Sequence, residues 1–266
     1  MTATTATYRT SAPAAPTTTT WTRLVRAELR KLTTTKMPWA FLAVLVVIAG
    51  IDAAVVVFGT DMDGSKGFIS TSADQVSLMA FAFNAMLGTA LFGAIASARE
   101  YGHGTVVPTF LTAPRRHRAV LAQFTAVMLG GAFLALVGQA MIVTAVAAAL
   151  PSTEYTLMVS TGEVARLLAA SAVAGACGAL LGSGIGLLVR NLGGAVTAAV
   201  LLLFVLPPLA VQLFTEALSW IPTTLFAVVS GVSSEVSLGA ALLAVAVWAI
   251  VPAAAGLLAV ERRDVV

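Results

Sequence analysis

Six stretches of about 20 or more predominantly apolar residues, at 39–59, 77–98, 120–150, 164–189, 195–215 and 238–260, leave this chain little to fold into except a lipid bilayer. A hydrocarbon core roughly 30 Å thick takes about 20 residues of helix. Lipid offers backbone amides no partner, so each run must satisfy its own as a helix. The composition agrees, with 59% apolar and 10% charged residues and a mean hydropathy of +0.95, where a soluble domain carries about a quarter charged residues. Six crossings use most of the 266 residues. The expected fold class is therefore all-α integral membrane, a single six-helix domain over 21–266 preceded by a disordered tail over 1–20, rich in Thr, Ala and Pro. The first apolar run starts near residue 39 without a short basic region at the terminus, so a cleaved leader is not expected.

Charge sets the orientation. Of the 15 Lys and Arg residues, all but Lys66 and Arg166 fall on one side of the six crossings. Arg9, Arg23, Arg26, Arg30, Lys31 and Lys36 precede the first span; Arg99, Arg115, Arg116 and Arg118 separate the second from the third. Arg190 follows the fourth span, and Arg262 and Arg263 follow the sixth. The opposite side holds Asp61, Asp63, Asp74, Glu154, Glu163, Glu216 and Glu235. Positive charge stays in the cytoplasm, which places both termini inside. The basic pI of about 9.4 thus reports topology and gives no reason to expect nucleic acid.

Two amphipathic segments lie on that basic side. Over 21–36, Leu24, Val25, Leu29 and Leu32 recur at helical spacing while Arg23, Arg26 and Arg30 point away, the pattern of a helix lying in the interface plane. Glu28 falls on its apolar side and needs cover from another protein segment. Over 99–119, Thr105 can cap a short helix, Pro108 fits its first turn and Pro114 ends it. Val107, Phe110 and Leu111 then share one face, which wants a partner. On the acidic side, 216–237 holds Trp220, Leu225, Phe226, Val228 and Val229, too short to cross twice and fitting an interfacial or shallow re-entrant helix. The third run would reach about 45 Å as helix and must tilt or project.

Inside the spans, Gly178, Gly182 and Gly186, with Ser171 and Gly175, form a small-residue stripe suited to close packing within the subunit. Pro207 and Pro208 should break or kink the fifth span. Asp52 is acidic within a span, at a cost of about 2.5–3.5 kcal/mol near a helix centre. It either faces a water-filled route or is held between helices. Asn84, Gln139 and Gln212 are cheaper and suit hydrogen bonds across helices.

Much chemistry is missing. No phosphate loop of the Gly-rich kind with a following Lys and Ser or Thr occurs, so ATP hydrolysis by that route is excluded. The two histidines, His103 and His117, lie in the connection between spans two and three and make no zinc pair. The single Cys177 excludes an internal disulfide or a thiolate cluster and reads as a packed small residue. No catalytic residue, metal site or cofactor is expected in the chain.

One local pattern resembles a known family. Glu100, Tyr101, His103, Gly104, Thr105, Leu111, Pro114, Arg115, Arg116 and Arg118, leading into a long third span, resemble the connection between spans two and three of ABC-2 type ABC transporter permeases, in particular the small permeases of actinobacteria. Glu28, Arg30 and Lys31, followed by Thr34, Thr35, Pro38 and Trp39, resemble that family's N-terminal elbow helix. Gln123 and Gly102 stand where basic residues are common in it.

The resemblance implies a bacterial plasma-membrane permease working as a dimer with a second copy or a paralogue. It also implies a separate nucleotide-binding ATPase that holds ATP and magnesium. Val107, Phe110 and Leu111 of a short coupling helix would fill a groove on that ATPase, with Glu100 and the Arg115, Arg116 and Arg118 cluster fixing the angle. Asp52, Asn84, Pro207 and Pro208 would lie along the route of an amphipathic or hydrophobic substrate moved out of the cytoplasm. The alternatives are a secondary transporter, which should show inverted repeats and more intramembrane ionisable groups, and a non-transporting membrane scaffold.

Overall fold

The computed structural model describes residues 21–62, 64–102 and 116–262. Among them every regular element is helical, and six helical stretches are long and apolar enough to cross a membrane: Met37–Phe58, Ser72–Gly102, Arg116–Ser152, Thr161–Val189, Leu192–Leu213 and Leu238–Arg262. This is a multi-pass membrane protein. The tail over 1–20 and residues 103–115, within which the short coupling helix from Thr105 to Thr112 is expected, lie outside the described residues.

The fourth span is the centre of the bundle. Buried residues make up 61% of its most apolar stretch against 11% for the first span, which is mostly exposed. Its glycines explain how neighbours come so close. A Cβ at Gly182 would land on the Ala90 carbonyl of the second span, and Gly178 and Gly186 meet Met86 and Ala94 on the same helix. Gly175 opposes Gly131 of the third span, and Gly184 opposes Pro252 of the sixth. The small-residue stripe therefore packs inside the subunit against the second and third spans, and Gly184, outside the stripe, meets the sixth. The Ser97 and Ser183 hydroxyls pair across the second and fourth spans, so the polar atoms in this tight seam are matched.

The second span departs from the expected single rod over 77–98. What reads as a polar loop over 60–76 contains a 3-10 turn at Gly67–Ile69, and a helix already begins at Ser72, capped reciprocally by Thr71 and Asp74. That helix ends at Met79, Ala80 turns extended, and a second one runs over Ala82–Gly102. The fifth span is likewise uneven: a π-helical stretch, Leu201–Val205, precedes the helix Leu206–Leu213 that carries Pro207 and Pro208. Proline cannot donate its amide, so the wider turn fits the helix around the gap. The third span forms a helix over Arg116–Ala149, about 50 Å long, and is overlong as expected.

The two basic residues on the acidic side close helix ends. Lys66 Nζ donates to the Val56 and Val57 carbonyls at 2.8 and 2.6 Å, at the end of the first span. Arg166 donates to Val229 and Val228 at 3.0 and 2.8 Å, at the end of the short helix Pro222–Ser230. Helix C-termini carry unpaired carbonyls and partial negative charge, which a cation satisfies. The stretch expected to be an outer helical element holds this helix and a 3-10 segment, Thr215–Trp220. Leu225, Phe226, Val228 and Val229 are buried, and Trp248 of the sixth span donates to the Trp220 carbonyl.

Candidate functional site

At the basic end of the bundle, the amphipathic helix is Trp21–Thr33, shorter than the 21–36 expected. The Thr33 and Thr34 hydroxyls bond the Arg30 carbonyl, and Thr35 bonds that of Leu32, which uses up the last helical acceptors. Leu24, Val25, Glu28, Leu29 and Leu32 are half-buried and Arg23, Arg26 and Arg30 exposed, as the periodicity requires. Glu28 has its cover. Lys31 Nζ lies 2.8 Å from Glu28 and 3.1 Å from Glu100 at the end of the second span. Glu100 therefore faces Lys31 of its own chain.

The electrostatics of this trio follow from burial. Burial pushes the Glu28 carboxyl above its ordinary range and outweighs the pull of Lys31, with Glu100 adding to the rise. For Lys31 burial acts downward, but the Glu100 and Glu28 carboxylates prevail and hold its ammonium above the usual lysine range. A cavity of about 450 Å³ lies against the trio, bordered also by Thr34, Arg99, Gln123 and Val127. Arg116 and Arg118 are exposed where the third span begins, beside His117, whose Nδ1 is 3.9 Å from Glu261 of the sixth span. Nearby, Arg190 takes the left-handed backbone conformation (φ 55°) and stacks 5.1 Å over the Tyr101 ring. His103, Gly104, Thr105, Val107, Phe110, Leu111, Pro114 and Arg115 fall outside the described residues.

A second place of interest lies among the spans. A cavity of about 320 Å³ runs between the first, second, third and fifth spans, lined by Phe41, Leu45, Ile48, Phe81, Asn84 and Gly88 among others. Almost all of its wall is apolar. Asn84 faces it, and a Cβ at Gly88 would meet open space. Asp52 follows Ile48 by one turn on the same face of the first span, half-buried, and makes no hydrogen bond or ion pair among the described residues. Pro207 is buried and Pro208 exposed on the fifth span; neither borders this cavity. Of the four residues expected along a route, the structure brings Asn84 to the cavity wall; Asp52 does not border the cavity and lies one helical turn beyond Ile48, which does.

The roof of the cavity is the interruption in the second span. Gln139, fully buried on the third span, donates from Nε2 to the Met79 carbonyl at 2.8 Å and accepts from the Phe81 amide at 3.3 Å. The Ser171 hydroxyl of the fourth span also donates to Gln139, at 2.7 Å. One side-chain amide thus replaces the backbone partners that the break removes. Gln139 was legible as a cross-helix hydrogen-bonding residue. Gln75 was not: fully buried, it donates to the Ile69 and Thr156 carbonyls and accepts from the Met158 amide, tying two acidic-side loops together. The Thr71 cap just before it was the available signal. Gln212 is exposed on the fifth span.

No family model matches the sequence, and no curated protein matches it. Among the described residues no group of His, Cys, Asp and Glu is placed to hold a metal ion.

Proposed function

We propose that this chain is the membrane-spanning permease subunit of an ATP-driven exporter of the ABC-2 type. In this reading it sits in a bacterial plasma membrane with both termini in the cytoplasm, paired with a second permease copy or a paralogue. ATP and magnesium belong to a separate nucleotide-binding ATPase. The observation that carries the reading is the bridge from Lys31 to Glu28 and Glu100. It fastens the amphipathic helix to the end of the second span, just before the residues that carry the resemblance. A load applied by a partner at that end passes into the second span, which is interrupted at Ala80 and packed on the central fourth span. A lever joined to an element with two arrangements is what converts partner binding into altered access.

The interrupted second span is also the observation that favours a secondary transporter, whose sites use broken helices to coordinate ions. Here Gln139 and Ser171 fill the gap, which leaves the freed backbone groups committed to protein, and the ATP-driven reading is preferred. The test is a search of the adjacent reading frames for a phosphate-loop ATPase, then co-expression with it, copurification and ATPase assay in lipid. A stable complex is expected, with Phe110→Ala lowering coupled ATPase activity while the permease still inserts. Failure of any phosphate-loop ATPase to copurify, with transport driven by an ion gradient instead, would overturn it.

A further inference from the structure

We propose that the cavity between the first, second, third and fifth spans is a binding site for an amphipathic cation, its apolar body among Phe41, Leu45, Ile48, Phe81 and Leu91 and its positive head beside Asp52. The volume of about 320 Å³ falls in the range of small-molecule pockets, which are mostly apolar walls with a few polar groups that set orientation. Asn84, Gly88, Leu91 and Ile95 line it at helical spacing along the second span, and Phe41, Leu45 and Ile48 line it along the first. The first series makes one wall with a single amide and a gap where Gly88 has no side chain. The second continues directly to Asp52, about 6 Å of helix rise beyond Ile48.

Charge selects the occupant. Val47, Ile51 and Val55 carry the exposed face of the first span, whereas Asp52 lies on the half-buried stripe that faces the protein. It is about 9 Å of rise from the end of the helix at Phe58. An ionised carboxylate there, with no ion pair among the described residues, is costly, and a bound cation offsets that cost. A neutral acyl chain would fill the apolar walls equally well but gain nothing from Asp52. An anion would be repelled. The cation assigns a substrate class to the exporter and so rests on that reading for transport, but its binding is measured without any ATPase and stands or falls separately.

The experiment uses the full chain in lipid nanodiscs and three photoreactive probes that share a dodecyl chain bearing a diazirine and differ in head: trimethylammonium, neutral hydroxyl and sulfonate. Labelled peptides are read by mass spectrometry. The cationic probe is expected to label 41–48 or 84–95 about tenfold more than the other two. Asp52→Asn removes that preference, Asp52→Glu keeps it, and Gly88→Phe, which fills open space, reduces labelling by every probe. Equal labelling by cationic and neutral heads makes the cavity a lipid groove and overturns the proposal. So does a preference that survives Asp52→Asn, or the absence of label from these segments, as when a second copy covers them. Should Asp52→Asn fail to insert, the head-group comparison on the unaltered chain and on Asp52→Glu still decides.

Discussion

The Gln139 amide nitrogen lies 2.8 Å from the Met79 carbonyl, so the helix break of the second span is held by a side chain from the third. Replacing Gln139 with Leu keeps the volume and strands the Met79 carbonyl and the Phe81 amide, both beside a residue with no solvent access. Orphaned buried groups cost about 1–3 kcal/mol each, while hydrogen bonds inside membranes are worth somewhat less. Gln139→Leu should therefore lose about 2–4 kcal/mol, read as a lower unfolding midpoint in detergent. Ser171→Ala removes only one donor to Gln139 and should cost about 1 kcal/mol or less. Equal losses in the two variants would mean that the break is held by something else.

The spans were legible in the sequence because about 20 apolar residues in a row admit one structure in lipid, and the amphipathic helix because its Leu and Arg residues separate at helical period. The break was not legible. Leu78, Met79, Ala80 and Phe81 contain neither Gly nor Pro, and every one is an acceptable helix residue. Its cause sits 58 residues away, in Gln139, which no local pattern exposes. The π-helical stretch of the fifth span, by contrast, was marked by Pro207 and Pro208 just after it. The early start of the second span was also readable, since Thr71 and Asp74 have the spacing of a capping box. The same spacing recurs at Ser160 and Glu163, where the fourth span begins.

Close approach predicts opposite effects for two glycines. A Cβ at Gly182 meets the Ala90 backbone, whereas one at Gly88 meets nothing within 4 Å. Gly182→Ala should force the second and fourth spans apart and cost about 1–3 kcal/mol. Gly88→Ala should be neutral or gain up to about 1 kcal/mol from better helix propensity. Thermal unfolding of the two proteins side by side is sufficient, and a neutral Gly182→Ala would contradict the packing described.

The two exceptional cations on the acidic side should act locally. Arg166→Met removes both side-chain donors to Val228 and Val229 and leaves the end of Pro222–Ser230 only its backbone cap, in which the Gly231 amide donates to Val228. The expected result is faster amide hydrogen exchange across that helix, with a loss of about 1–3 kcal/mol. Lys66→Met should do the same at the end of the first span, where Val56 and Val57 lose their partner. If exchange instead rises uniformly over the bundle, the two side chains hold more than their own helix ends.

The trio at the basic end predicts how stability varies with pH. Burial raises the folded-state pKa of Glu28 above the ordinary 4.5. Between 4.5 and that raised value the folded protein therefore binds more protons than the unfolded one, and stability falls as pH rises through the window. Glu28→Gln should remove this slope and hold the unfolding midpoint at or above that of the parent at neutral pH. Lys31 works in the other direction. Its pKa is raised above 10.5, so its stabilisation is complete below the ordinary lysine value and fades only as pH climbs through the raised one. Lys31→Met then weakens the protein across the neutral range and flattens its alkaline limb. Because the Lys31 side chain is 40% exposed, screening limits its coupling to Glu100 to about 0.5–1 kcal/mol. A double-mutant cycle of Lys31→Met with Glu100→Gln measures that coupling directly. Zero coupling would detach the amphipathic helix from the second span, and with it the lever on which the exporter reading depends.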